Sequence, residues 1–517
     1  MTYPYLVRNP PRMIFGHPSG LLNLFLTELW ERFSFYGMRA ILVLFLVDSP
    51  ANGGLGLAPA TAAALYAVYN AVVYLLAMPG GWVADRLTGT RRAVLIGGVV
   101  ITFGHLVLAV PAGLTAYAGL ALVAAGTGLL KPNIAAMVGE LYDRLPDASP
   151  YDVARSAHDS ARTPTQHHAK RDAGFSIFSI GINVGAWAGA LVTGWLGLHY
   201  GWHVGFAAAA VGMTLALIQY LAAGRSLGDV GRMPHRPLDE YRRGLILRRV
   251  VGLSMAGLLV LALAATLLSS ATGRGVLDVV LLLVPPIVLA VPVFFFTTML
   301  REHTLTPPER SRVLAYIPIF LGAALFWLVY DQAGNLLNLF AEDKADNHVF
   351  GLDVPAAWYQ SVNPLFILLL APFFALAWSR LGDRAPSTPV KFAIGLLGIG
   401  TSLVVMAFAG AAATKGQISP LWLVAVALVQ TVAELFLSPI GLSVTTRLAP
   451  ARFASQLMGL WFLATATGDA VGGYVVRLNG QLGDEVSLGL LGGLAVAVGI
   501  AFLLSAPRIR ALMAGVD

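Results

Sequence analysis

The sequence predicts an all-α integral membrane protein, and three observations carry that prediction. Apolar residues fill 57% of the 517 positions and charged residues only 12%, about half the charged share of a soluble domain. Apolar runs of the roughly 20 residues needed to cross a bilayer recur along the whole chain. Basic residues crowd into alternate connections. With both termini in the cytoplasm, only Arg274, Lys344, Lys415 and Arg477 fall outside and only Arg32, Arg39 and Lys131 within the membrane, out of 34 Lys and Arg. That asymmetry sets the orientation. The net charge of +7 therefore reports topology, not affinity for nucleic acid. An absence of cysteine excludes disulfides and thiolate metal sites.

The spans are expected near 19–47, 58–85, 93–112, 115–141, 174–199, 203–223, 247–270, 275–299, 313–341, 357–380, 388–412, 418–446, 453–477 and 486–507, fourteen helices in all. The first is too long and too charged for a cleavable signal peptide and reads as a permanent helix. Two weak correspondences suggest two six-helix halves. The tract 81–92 has a faint echo at 379–384, and Lys131-Pro132 is matched in depth by Ser438-Pro439. The expected division is an N-terminal bundle over 1–223, a cytoplasmic linker with an inserted hairpin over 224–310, and a C-terminal bundle over 311–517. The hairpin spans are apolar throughout their middles and are expected to face lipid.

Within the first span lies Glu28-Leu29-Trp30-Glu31-Arg32-Phe33-Ser34-Phe35-Tyr36-Gly37-Met38-Arg39. At about 100° per residue, Glu28, Glu31, Arg32, Phe35 and Arg39 share one side of a helix, with Tyr36 at its margin. Charges held at that depth pair with one another or face a wet cavity. A buried structural ion-pair cluster is the plainer reading, but four charges with two aromatics exceed what packing needs. Lys131, in Gly126-Thr127-Gly128-Leu129-Leu130-Lys131-Pro132-Asn133, requires a carboxylate or substrate partner. Glu434 supplies a counter-charge, and Gln430, Glu434 and Ser438 recur at four-residue spacing on one helix face. Asp331 is a further membrane acid. Trp327, Asp331, Asn335 and Asn338 share a face.

These tracts resemble, in order, the motifs of the proton-dependent oligopeptide transporter family, a branch of the major facilitator superfamily. The first span is similar to E-x-x-E-R-F-x-Y-Y-G, with Phe35 where the pattern has Tyr. Lys131 lies in a G-x-G-x-x-K-P-N match, and Phe326 to Gly334 resembles F-W-x-x-x-E-Q-x-G with Asp331 for Glu. Phe178 to Gly185 resembles F-Y-x-x-I-N-x-G with Ser179 for Tyr, and Gln360-Ser361-Val362-Asn363-Pro364 matches Q-S-x-N-P. Only the polar stretch 142–173 is foreign to the pattern, and an insert there that folds back over the inner mouth is one expectation. His158, His167 and His168 within it read more simply as a solvated linker than as a metal or pH-sensing patch.

The resemblance implies the major facilitator fold and import of di- and tripeptides with protons by alternating access. It implies proton coupling through Glu28, Glu31, Arg32 and Asp331. Peptide carboxylates would meet Arg32, Arg39 and Lys131, and the amine would meet Glu434. Asn183, Asn363, Tyr36 and Ser438 would add polar contacts, while Tyr74, Trp327 and Trp461 would build side-chain pockets, although ordinary core is the plainer reading of each aromatic taken singly. Arg39–Asp331 and Lys131–Glu434 would be the gate ion pairs. Asp85, Arg86, Arg91 and Arg92 resemble a cytoplasmic latch, a role that overlaps with simple positive-inside anchoring.

The expected partners are short peptides, protons and membrane lipids, with no cofactor, metal or nucleic acid, in a monomer of the inner membrane with both termini cytoplasmic. A related cargo such as nitrate, a drug exporter and a nontransporting receptor are the competing readings. An enzyme is not expected, because no hydrolase or phosphate-binding motif accompanies the charges.

Overall fold

The computed structural model describes residues 12–145, 163–349, 351–414, 416–482 and 484–516. Among the described residues, fourteen long helices and one short one follow in order: α1 (Ser19–Val47), α2 (Pro59–Val83), α3 (Thr90–Leu108), α4 (Gly113–Asp143), α5 (Thr163–Tyr200), α6 (Trp202–Ala222), α7 (Glu240–Thr272), α8 (Val276–Arg301), α9 (Pro307–Tyr330), the short α10 (Leu336–Lys344), α11 (Val362–Leu381), α12 (Thr388–Ala413), α13 (Leu421–Leu448), α14 (Ala454–Leu482) and α15 (Asp484–Leu512). Two short hairpins, β1 (Met13–Ile14) with β2 (His17–Pro18) and β3 (His348–Val349) with β4 (Leu352–Asp353), decorate the loops. Twelve spans among the described residues are long and apolar enough to cross a membrane. Helix α1 falls short of that apolarity because its middle carries Glu28, Glu31, Arg32 and Arg39.

Helices α1 to α6 pack on one another, chiefly α3 on α4, α1 on α5 and α6, and α2 on α4. Helices α9 and α11 to α15 form a second group through α12 with α13 and α15 and α9 with α14. Small residues set the closeness of these contacts, as expected where lipid offers no hydrophobic drive. A Cβ at Gly80 would collide with the carbonyl of Gly128, so the α2–α4 crossing depends on both glycines. Helix α7 leaves nearly all of its apolar side chains exposed, whereas α8 packs against α2 and α14. Of the hairpin, then, α7 has the lipid-facing character that its composition suggests, and α8 is half built into the bundle.

One span departs from expectation. Residues 313–341 read as one continuous helix, but α9 ends at Tyr330 and a tight turn over Asp331–Gly334 leads through Asn335, at φ −122° and ψ −97°, into α10. Gly334 permits this break: a Cβ there would run into the Tyr66 hydroxyl. The shared face of Trp327, Asp331, Asn335 and Asn338 therefore does not exist as drawn on a helical wheel. Asn335 instead donates to the Ala63 carbonyl at 3.0 Å and Asn338 to that of Ala40 at 2.8 Å, both on the first helix group. The insert expected to cover the inner mouth lies largely in 146–162, outside the described residues.

Candidate functional site

The α1 stripe is buried as its periodicity implies. Arg32 Nε lies 2.8 Å from Glu28 Oε1 and 2.7 Å from Glu31 Oε2, and none of the three side chains is more than 4% exposed. Two carboxylates around one guanidinium leave a negative charge in excess, a costly state so far from water. Phe35 adds its ring to the same guanidinium at 5.6 Å. The residue that replaces the family tyrosine thus supports the cluster by its face and not by a hydroxyl.

Two turns further along α1, Arg39 joins the two helix groups. Its Nη2 pairs with Asp331 Oδ1 and its Nε donates to the Tyr66 hydroxyl on α2. All three residues are buried. Asp331 is one methylene shorter than glutamate, and the turn at Asp331–Gly334 meets the shorter reach: without a Cβ at Gly334, Tyr66 and the Arg39 Nε pack directly on that turn. Around this pair four donors from the second group reach backbone carbonyls of the first. They are Asn335, Asn338, Gln360, which reaches Ala40 at 3.2 Å, and Trp358, which reaches Leu191 at 2.9 Å. The groups are therefore sealed together on the face opposite the termini.

Below that seal lies a cavity of about 260 Å³ between the two groups. Tyr36, Arg39, Asn183, Asn363, Glu434 and Ser438 line it, as do Tyr330, Gln430 and Gln360. Asn363 is the hinge of its polar wall. Its Oδ1 accepts from the Tyr330 hydroxyl at 2.9 Å, and its Nδ2 donates to Thr431 at 2.9 Å and to Glu434 Oε2 at 3.3 Å. One pole of the cavity is thus a guanidinium and the other a carboxylate held in a hydrogen-bonded frame. Asn183 donates to the carbonyl of Ser179 at 3.0 Å, which the loss of the family tyrosine at that position does not disturb.

Other expected residues stand apart from the cavity lining. Lys131 places Nζ 3.9 Å from the centre of the Tyr74 ring, and it forms no ion pair with Glu434 among the described residues. The expected Lys131–Glu434 gate pair is therefore absent from this conformation, because Glu434 is engaged by Asn363 and Lys131 by an aromatic face. Trp327 packs edge-to-face on Tyr330 at 5.2 Å. Trp461 is buried against Gly441, where a Cβ would meet its ring. Both indoles shape the walls from behind.

On the face bearing the termini, the loop latch differs from its expected chemistry. Arg91 donates to the carbonyls of Gly224 at 2.7 Å and Gly228 at 3.0 Å, and Arg86 reaches the Arg236 carbonyl at 3.5 Å. The Asp85 backbone carbonyl accepts from Arg236 N–H at 3.0 Å, while the Asp85 and Arg92 side chains are exposed. Arginines here bind the backbone of the 224–238 connection instead of carboxylates.

Sequence reasoning passed over Asp469. It lies on α14 at 3% exposure, and its carboxyl is within hydrogen-bonding reach of that of Asp331. The signal was present: an acid inside an apolar span marks a functional position by default, and the rule applied to Asp331 applies equally to Asp469. Tyr66 and Tyr330 carried no comparable signal, because an isolated tyrosine in an apolar run reads as packing.

Residues 91–483 match the family model described as the POT family. The chain belongs to the POT family. The di-/tripeptide transporter of Lactococcus lactis subsp. cremoris is 38% identical over 515 residues, covering 98% of both chains. Among solved structures, a peptide transporter POT in complex with sulfate is 40% identical with a TM-score of 0.87, covering 98% of both chains. A POT family transporter in complex with a thioalcohol conjugated peptide is 36% identical with a TM-score of 0.85, covering 97% of this chain and 98% of the other. The POT assignment accounts for the helical membrane architecture and for the position of the cavity between the two groups. Like its relatives, this POT member is a transport protein and not an enzyme.

Proposed function

We propose that the protein imports di- and tripeptides together with protons across the inner membrane, with both termini in the cytoplasm. The observation that carries the reading is the pair of opposite poles on one small cavity, Arg39 at one side and Glu434 in the Asn363 frame at the other. A zwitterionic peptide has constant ends and variable side chains, so fixed poles grip the ends while apolar walls tolerate the rest. A simple anion such as nitrate has no use for the cavity-lining Glu434 carboxylate. Lys131 would take up the peptide carboxylate when the Tyr74 contact is exchanged for it. Asn183, Ser438 and Tyr36 would add polar contacts along the peptide.

Protons enter the scheme through charge balance. Glu28, Glu31 and Arg32 hold one negative charge in excess, and a proton is the smallest ligand that neutralises it. At the seal, protonation of Asp331 releases Arg39 and lets the two groups part on the face opposite the termini. Inward movement of one positive charge contributes about 2.3 kcal/mol per 100 mV, and each pH unit about 1.4 kcal/mol. The protein works as a monomer on this reading, since one chain encloses the whole cavity.

Purified protein in liposomes tests the proposal. Labelled dialanine should accumulate when an inward proton gradient and negative interior are imposed, and excess unlabelled dipeptide should compete. Absence of both uptake and counterflow with dipeptides, or uptake indifferent to the gradient, would overturn it. Amide replacement of Glu31 or Asp331 should abolish gradient-driven uptake while counterflow persists.

A further inference from the structure

Asp469 is a second carboxyl at the seal that the Arg39–Asp331 pair does not require. It projects from α14 toward the turn after α9, and its side chain lies within hydrogen-bonding reach of Asp331. Asp331 and Asp469 are 5% and 3% exposed, and an oxygen of each, Oδ2 in both cases, is buried with no donor. The groups that face Asp469 are few. Helix α1 brings Arg39, α2 brings Tyr66 and Tyr74, and the turn after α9 brings Asp331. Lys131 of α4 acts from farther away. The α8 acid Asp278 is taken by Arg477, two turns along α14 toward the opposite face from the termini. On α13, Glu434 is held by Asn363, and α15 has ionisable residues only at its ends.

One guanidinium thus serves two buried carboxyls in contact. Two carboxylates at hydrogen-bonding distance repel strongly, and a single proton between them removes the repulsion and supplies the missing donor. We propose that Asp331 and Asp469 share one proton at the closed seal, making Asp469 a proton-coupling residue of the transport cycle. The O–H bond forms on Asp469 and donates to Asp331, whose other oxygen keeps Arg39. Arrival of this proton therefore does not break the seal. Arrival of a second one neutralises both carboxyls and frees Arg39, and loss of the first leaves two anions on one cation and tightens the seal. The pair titrates as a unit, in two steps that belong to neither residue alone.

This inference rests on the proposed proton-coupled transport for its kinetic readout, so a second readout is independent of cargo. Infrared difference spectra of wild-type protein in liposomes, recorded across a pH titration, should contain a protonated-carboxyl C=O band that Asp469→Asn lacks and Asp469→Glu restores. In gradient-driven dialanine uptake, Asp469→Asn should move the pH profile to alkaline by about one unit or more, because the remaining carboxyl takes up its proton without a shared one holding it ionised, a tenfold fall in the proton concentration needed. Asp469→Glu should return it toward wild type. Were Asp469→Asn inactive, the band would still decide the matter. Identical carboxyl bands in wild type and Asp469→Asn, or an unmoved pH profile, would overturn the shared proton. Failure of wild-type counterflow with dipeptides would instead overturn the cargo while leaving the infrared result standing.

Discussion

Lys131 and Glu434 are held apart by different partners: the ammonium lies 3.9 Å from the centre of the Tyr74 ring, and the carboxylate accepts from Asn363 at 3.3 Å. A desolvated cation over an aromatic face gains about 2 kcal/mol. Tyr74→Ala should therefore lower the thermal unfolding midpoint and raise the KM for dipeptide counterflow by about tenfold or more. Tyr74→Phe keeps the face and should stay near wild type. Equal losses in the two variants would contradict the cation–ring contact.

Breaking the Arg39–Asp331 pair should loosen the seal. Asp331→Asn leaves the buried guanidinium short of its contacting charge, a change that costs about 3–5 kcal/mol in comparable sites. Because the chain has no cysteine, a single Gln360→Cys reports accessibility cleanly. Its labelling by an impermeant maleimide should accelerate severalfold when Asp331→Asn is added. An unchanged rate would show that the carbonyl-directed bonds alone hold the groups together.

Gly334 is where the seal tolerates no side chain. Gly334→Ala puts a methyl into the Tyr66 hydroxyl and should displace Tyr66 from Arg39, reducing uptake strongly. Tyr66→Phe removes the colliding atom. The double variant should transport better than Gly334→Ala alone, a nonadditivity expected of residues in contact. Strict additivity of the two changes would argue against the contact.

The latch arginines should separate by function. Arg91 holds two backbone carbonyls, and hydrogen bonds from a charged donor contribute about 1.5–3 kcal/mol. Arg91→Ala should expose the 224–238 connection to trypsin and lower the unfolding midpoint. Arg92→Ala, whose side chain is exposed, should do neither.

A pH-dependent contact is predicted outside the membrane. In the β3–β4 hairpin, His348 Nδ1 lies 2.9 Å from Asp353, whose hydrogen bond and charge raise the imidazole above its ordinary 6.5. The charged pair supports the hairpin fully below that ordinary value and is lost as pH rises through the raised one. Titration of labelled histidine by NMR should give a midpoint above 6.5 that falls in Asp353→Asn. Identical midpoints would remove the pair from the account.

Much of this was legible in the residues. Helix α1 spans Ser19–Val47 as its apolar run implies, and its charged stripe is buried on one side because helical periodicity is a local property. The Arg39–Asp331 pair followed from motif resemblance. What escaped depended on neighbours distant in sequence. The break after Tyr330 is enforced by Tyr66 pressing on Gly334, and no local pattern contains that contact, although a Gly-Asn pair is a turn signal. The Lys131–Glu434 pairing failed because complementary charge says nothing of competing partners, here an aromatic ring and an amide. Asp469, by contrast, is legible locally, as an acid inside an apolar span.

The four bonds that close the face opposite the termini all run one way, from side chains after residue 331 to main-chain oxygens before residue 200. Each of those oxygens lies within a helix and already accepts its own i+4 amide, so separation of the bundles unravels no turn. Water can satisfy the four released donors at once. The closure behaves like a hook-and-loop fastening whose loop side is indifferent to side-chain identity, which suits a surface that must open and shut with every molecule carried.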